Sequence, residues 1–209
     1  AIGKSALAAA TTGGYNVAIG FEALDANTTG TTNIAIGSSS LSANTTTAGN
    51  TAVGKNTLLV ATAANNTAVG SDCLDSNTTG TANVGMGILS LSGVTTGSYN
   101  TGLGAYAGDA IVTGSNNICI GYLSDVNDGA AANQICIGTS VAASGDNFVT
   151  IGKASPNFIY NGFTSNATWT RASDERLKKD INTNKEIGLD FINDLRTVNF
   201  KWKAPSEID

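Results

Sequence analysis

Glycines punctuate the first three quarters of the chain at an almost constant interval. They stand at positions 3, 20, 37, 54, 70, 87, 104, 121, 138 and 152, mostly 17 residues apart, with one gap of 16 and one of 14. Three residues before each glycine from Gly20 onward the position is β-branched: Val17, Ile34, Thr51, Thr67, Val84, Thr101, Ile118, Ile135 and Val149. The residue just before the glycine is apolar: Ile19, Ile36, Val53, Val69, Met86, Leu103, Ile120, Ile137 and Ile151. Between these two columns runs a small one, Ala18, Ala35, Ala52, Ala68, Gly85, Gly102, Cys119, Cys136 and Thr150. β-Branched residues suit a pleated strand, and the two-residue period puts both large columns on one face and the small column on the other. The pattern predicts that the large face fills a core. The small face should then lie against a closely approaching backbone, with partner chains packing on it.

A leucine follows four residues after the glycine, at Leu7, Leu24, Leu41, Leu58, Leu74 and Leu91, each preceded by a small residue such as Ala23, Ser40 or Cys73. This predicts a second short strand in every repeat. The leucines give way to Gly108, Asp125 and Ala142 in the last turns, so those turns must be reshaped. Segments such as Asn27-Thr28-Thr29-Gly30 and Asn77-Thr78-Thr79-Gly80 have the chemistry of turns. An asparagine stands four residues before each glycine at 16, 33, 50, 66, 83, 100 and 117, with Gln134 after them. These side chains are suited to hydrogen-bond along an in-register stack or to support a left-handed corner.

A fixed period of this length specifies stacked structural units rather than a globule. The expectation is an all-β fold, a parallel β-solenoid over 1–152 in which each rung buries its apolar columns only by stacking on the next. At roughly 4.8 Å per rung the stack would be about 40 Å long. So thin a rung has room for little beyond two apolar columns, so a single chain should not be self-sufficient.

Composition divides the chain at the same place. Of the 25 glycines, 23 precede residue 153, whereas both tryptophans, both prolines and nine of the 11 Lys and Arg lie from residue 153 onward. Residues 1–152 carry two cations, Lys4 and Lys55, against eight acids. Such a surface cannot neutralise a run of phosphates, which argues against nucleic-acid binding. With no histidine, a His-ligated metal and a Ser-His-Asp triad are excluded. No metal or other cofactor is expected. No apolar run of 18 residues exists to span a bilayer.

Cys119 and Cys136 share a column one rung apart, and burial as free thiols accounts for them. Sequons at Asn27, Asn44, Asn65, Asn77 and Asn166 are what Asn/Thr-rich turns produce by chance. The pairs Asp72 with Asp75 and Asp125 with Asp128 do not recur from rung to rung, so they read as solvated turn acids rather than Ca²⁺ ligands or a glycosidase pair. An ice-binding array would need the same threonine on every rung, and the threonine positions are expected to drift.

The recurring pattern exemplified by Asn33-Ile34-Ala35-Ile36-Gly37 resembles the head repeat of trimeric autotransporter adhesins, with similar repeats in phage tail fibres. The resemblance covers 1–152 and implies a left-handed β-roll that forms a homotrimer. After a linker or stem at 153–172, the stretch Ser173-Asp174-Glu175-Arg176-Leu177-Lys178-Lys179-Asp180-Ile181 resembles the opening of the self-cleaving intramolecular chaperone of phage tail fibres and endosialidase tailspikes. Thr183 and Glu186 are spaced as a capping box, and Ile187, Phe191, Ile192 and Leu195 form a helical apolar stripe. That agrees with the family's first long helix. The segment 173–209 thus reads as the truncated start of an α+β chaperone domain, and the opening Ala1-Ile2-Gly3 as the tail of an earlier repeat.

The resemblance implies a catalytic Ser173/Lys178 dyad acting once, in cis, on the Ala172–Ser173 bond. Lys178 would serve as base only when neutral, a state that burial or the neighbouring cations Arg176 and Lys179 would favour. No turnover enzyme is expected. The functional expectation is a virion tail fibre, assembled in the host cytoplasm, whose rod attaches to a cell-surface glycan or protein. The alternative is a surface adhesin or filament subunit of the trimeric autotransporter type on a bacterial cell.

Overall fold

The computed structural model describes residues 1–163 and the backbone of Thr170–Arg171, and all the structural statements below concern these residues. They belong to the first of two units into which the chain divides, Ala1–Ser173. The unit is all-β. One sheet holds eleven strands in sequence order. These are β1 (Val17–Ile19), β2 (Ile34–Ile36), β3 (Thr51–Val53), β4 (Thr67–Val69), β5 (Val84–Met86), β6 (Thr101–Leu103), β7 (Ile118–Ile120), β8 (Ile135–Thr139), β9 (Phe148–Lys153), β10 (Phe158–Gly162) and β11 (Thr170–Arg171). Strands β1 to β9 pair in parallel, each residue above its counterpart one repeat later, as in Val17 on Ile34, Ala18 on Ala35 and Ile19 on Ile36. The molecule is therefore the parallel β-solenoid that the period specifies, of about eight turns.

The glycine column explains the strictness of the punctuation. Gly70 has φ +137°, and a Cβ placed there would lie 2.4 Å from the carbonyl oxygen of Gly87 in the next rung. No side chain fits at that corner, because each glycine backbone is stacked directly on the next.

The interior is the reverse of the expectation. Ala18, Ala35, Ala52, Ala68, Cys119, Cys136 and Thr150 of the small column are fully or almost fully buried. Each three-residue strand from β1 to β7 shows a buried centre between two more exposed flanks. The small column thus points into the chain's own rung, and the large columns point out. The physical reason is volume. Leu24, Leu41, Leu58, Leu74 and Leu91 are wholly buried opposite the strand. A rung this narrow can hold one leucine and one alanine, and it has no space for a second pair of branched side chains.

The predicted second strand is also corrected. The segment after each glycine is a series of turns in which alternate residues take left-handed backbone, such as Glu22 (φ 53°) with Leu24 (φ 54°) and Asn56 (φ 53°) with Leu58 (φ 51°). A left-handed residue costs about 1–2 kcal/mol, which is comparable with the roughly 1.5–3 kcal/mol gained by burying a leucine side chain. The ladder survives the turns, since Leu24 N–H donates to Ser40 O at 2.9 Å and Leu41 N–H to Thr57 O at 3.1 Å.

Where the leucine column fails, other apolar side chains replace it. A Cβ on Gly108 would lie 2.7 Å from a Leu91 methyl and 3.2 Å from Cδ1 of Ile111, so Leu91 and Ile111 close over the missing leucine. Ile111, Val126 and Val141 are buried in the last rungs. Parallel stacking ends at β9, and β10 and β11 continue the sheet antiparallel. Phe148, Tyr160 and Phe158 pack there with ring centroids 6.0 Å apart in each successive pair.

Candidate functional site: an outward apolar face

Turning the large columns outward leaves a continuous apolar stripe along the stack. Val17, Ile19, Ile34, Ile36 and Met86 are 36–48% exposed, and Val53, Val69, Leu103, Ile118, Ile120, Ile135 and Ile137 are half-buried. Around the glycine corner the stripe continues in Ile88, Leu123 and Tyr122, all exposed. Tyr122 meets Tyr106 edge-on at 6.3 Å. A contiguous apolar surface of this length is uncommon on a solitary soluble chain.

The asparagine column runs beside this face and holds its rungs in register. Oδ1 of each asparagine accepts the main-chain N–H of the next. The distance is 2.9 Å from Asn16 to Asn33, 3.0 Å from Asn33 to Asn50 and 2.9 Å from Asn83 to Asn100. The Nδ2 group donates to a carbonyl of the following rung, as from Asn33 to Thr47 at 2.8 Å and from Asn83 to Gly97 at 2.8 Å. Asn33, Asn50, Asn66, Asn83, Asn100, Asn117 and Gln134 are wholly buried. The residues before them are left-handed, among them Thr32 (φ 56°), Ala82 (φ 55°) and Tyr99 (φ 60°). Both roles foreseen for the column are present together.

A second asparagine column, Asn27, Asn44 and Asn77, reads in the sequence as sequons and, at Asn27 and Asn77, as turn chemistry. All three are wholly buried. Asn77 closes its turn by donating to Gly80 O at 2.9 Å and accepting Gly80 N–H at 3.0 Å. A glycan cannot be attached to a side chain so enclosed. Asn65 is exposed, and Asn166 lies outside the described residues.

The threonine expectation is corrected too. Thr11, Thr28, Thr45, Thr62, Thr78 and Thr95 recur every 16 or 17 residues. The hydroxyls of Thr11, Thr28, Thr62, Thr78 and Thr95 donate to the main-chain carbonyl one rung on, at 2.9–3.2 Å. The positions do not drift, but five of these six hydroxyls are already engaged in holding rung to rung.

Cys73, Cys119 and Cys136 are free and buried. Burial pushes the Cys73 thiol up to about 12 and the Cys136 thiol up to about 11, and it raises Cys119 further with help from Cys136. None is a nucleophile near neutrality. Asp72 is held below the usual carboxylate range by hydrogen bonds from Ser71 and Asn56. Its neighbour Asp75 is raised by burial and then by the charge of Asp72. An open cavity of about 310 Å³ is lined by Asn127, Asp128, Ala130, Ala131 and Asp146. Asp146 is held ionised there by the Ala132 N–H at 2.8 Å and by Gln134 at 2.9 Å. Among the described residues no group of three or more His, Cys, Asp or Glu could hold a metal ion.

Ser173, Lys178 and the Ala172–Ser173 bond lie outside the described residues. Residues 173–209 match a family model described as the chaperone of endosialidase. No curated protein and no solved structure matches the chain. A parallel β-solenoid leading into an endosialidase-chaperone segment fits a protein of the tail-fibre and endosialidase-chaperone kind.

Proposed function

We propose that this chain is one third of a rigid, trimeric virion tail fibre, in which the solenoid carries the host-attachment surface and the segment from Ser173 starts the chaperone that assembles it. The observation that carries the proposal is the apolar stripe. It presents an apolar side chain on every rung, with a second β-branched one beside it that is threonine at 51, 67 and 101, and repeats at the strand spacing of roughly 4.8 Å. Its natural occupant must carry the same repeat over the same length, a condition met by further copies of this chain in register. Three copies around an axis cover the stripe of each with those of the others. The exposed turns stay outside to meet a glycan or protein of the host surface.

Register is the difficulty in such an assembly, because a slip of one rung buries almost as much apolar area as the correct alignment. A chaperone that aligns three C-termini before the rods zip removes that ambiguity, since bringing distant chain segments into register is the slow, entropically costly step. Ser173, activated by Lys178, would then cleave the Ala172–Ser173 bond once and release the chaperone.

Sedimentation equilibrium tests the assembly. The full chain is expected at three times 21.0 kDa. The Ile19→Asp/Ile36→Asp pair, on outward positions that leave the rung interior unchanged, is expected to give a monomer with the native circular dichroism spectrum. A native chain that stays monomeric at micromolar concentration, or a variant that still forms trimers, would refute the face assignment. A chain ending at residue 165 that forms trimers as fast as the full chain would refute the chaperone role.

A further inference from the structure

The outward column that opens each strand is apolar at Val17, Ile34, Val84, Ile118 and Ile135 but polar at Thr51, Thr67 and Thr101, the first residues of β3, β4 and β6. Its companion column, from Ile19 to Ile151, contains no polar residue. Thr51 pairs directly with Thr67, while Thr101 stands between Val84 and Ile118. Strand formation does not call for these hydroxyls, because valine is β-branched in the same way. Nor do they tie rung to rung. Thr28, Thr62 and Thr78 give their hydroxyls to a carbonyl of the next rung at 2.9–3.0 Å, whereas among the described residues those of Thr51, Thr67 and Thr101 have no hydrogen-bond partner. Three half-buried threonines thus carry unengaged hydroxyls within two otherwise apolar columns.

We propose that Thr51, Thr67 and Thr101 are a register mark by which copies of this chain recognise their aligned state, a role that rests on the trimer proposed above. Around a three-fold axis, a residue on the facing stripe meets its own counterparts at the same height. Three threonine hydroxyls at one height can close a ring, each donating to the next and accepting from the one before. A threonine set against valine or isoleucine loses that ring and leaves a hydroxyl buried without a partner, which is costly. Single polar residues in the apolar seam of a coiled coil fix its register by the same physics.

The spacing makes the mark unambiguous. The threonines open the third, fourth and sixth strands, so the separations between them are one, two and three rungs, all different. A slip of one rung brings only Thr51 against Thr67, a slip of two only Thr67 against Thr101, and a slip of three only Thr51 against Thr101. Every slip therefore keeps at most one of the three matches. The apolar columns discriminate poorly between registers, and the threonines supply what they lack. In the proposed assembly the chaperone sets the register that forms first, and the threonines keep it once the chaperone is released.

Disulfide exchange between two forms of the full chain, each with one added cysteine, tests this. Val69→Cys and Met86→Cys both stand on the outward companion column, one rung apart. The two forms are refolded together in equal amounts and held in a glutathione buffer until the pattern is constant. Bridges 69–69 and 86–86 then report the aligned state, and bridges 69–86 report a slip of one rung. With one form isotopically labelled, non-reducing mass spectrometry counts the three products. Aligned bridges should outnumber 69–86 bridges by at least about tenfold. Replacing all three threonines by valine should bring the ratio towards one, while association, read by sedimentation, stays as tight or tightens. Thr51→Val with Val84→Thr keeps three threonines but sets them on consecutive strands, where a one-rung slip preserves two matches, and should give an intermediate ratio. A native ratio near one, or an undiminished ratio in the triple valine variant, would overturn the register mark and leave the trimer standing. Absence of every interchain bridge in a chain that sediments as a monomer would overturn the trimer itself, and the mark with it.

Discussion

Asn100→Ala removes the middle of the asparagine ladder, and the structure fixes what it leaves behind. Oδ1 of Asn100 accepts the main-chain N–H and the Nδ2 of Asn117, both at 3.1 Å, while Nδ2 of Asn100 donates to Gly114 O at 2.9 Å. Asn100, Asn117 and Gly114 are all buried, so water cannot replace the lost partners. One amide N–H and one carbonyl are orphaned at about 1–3 kcal/mol each, which puts the loss at roughly 2–6 kcal/mol. Folded domains are stable by about 5–15 kcal/mol, so one such change removes a large fraction. Rungs contact only their neighbours, so the damage should stay local and divide the stack between β6 and β7. Urea unfolding followed by circular dichroism measures the loss, and hydrogen exchange locates it. The control is Thr96→Ala on an exposed turn position, expected within about 0.5 kcal/mol of the native chain. A loss below about 1 kcal/mol for Asn100→Ala would show that the ladder merely accompanies the stack, and the account of register given above would fail with it.

Gly70→Ala forces a Cβ to within 2.4 Å of Gly87 O at φ +137°. It should cost more than Leu58→Ala, for which a loss of about 2–5 kcal/mol is expected, and a smaller cost by urea unfolding would refute the glycine-stacking argument. The three thiols should resist iodoacetamide at pH 8 in the native chain and react fully in denaturant, because burial holds Cys73 up at about 12 and Cys136 at about 11. Native labelling that rises with pH below 9 without unfolding would contradict that. Denaturing mass spectrometry should find a product ending at Ala172 from the native chain and only intact chain from Ser173→Ala. A shorter product persisting in the variant would exclude the Ser173/Lys178 dyad.

Much of this architecture was legible because it repeats. A column with a single permitted residue, such as the glycines, or a single chemical role, such as the asparagines at 16, 33 and 50, can be read without knowing which way the chain curls. The left-handed leucines were not legible. Leu24 and Leu58 fit a strand by composition, and only the stacking of Gly20 on Gly37 and Gly54 on Gly70 forces the sharp turns that follow. Asp125 is legible as a break in the leucine column, but not the reach of its carboxyl to the Ala110 and Val126 amides, which depends on how the chain runs after the break. The match at 173–209 rests on a string of specific residues rather than on periodicity.

The inverted faces have a consequence for function that hydrophobicity alone would have concealed. Period two shows that the alanines and the isoleucines lie on opposite sides of each strand, but it does not say which side is inside. The usual rule that large apolar residues fill the core assumes an interior wide enough to receive them. Here the opposite wall already supplies a leucine per rung over most of the stack, and what remains is the width of an alanine, a glycine or a cysteine. The isoleucines go outside because the rung is too thin, and a solenoid that displays them rung after rung can bury them only by meeting surfaces of equal period. In the proposed assembly, thinness of the rung and need of a partner are one property, set by a 17-residue repeat. Inserting bulk at Ala52, for instance Ala52→Leu, should therefore disrupt the rung, whereas Val53→Leu on the outward column should be accepted within the chain and felt only in association.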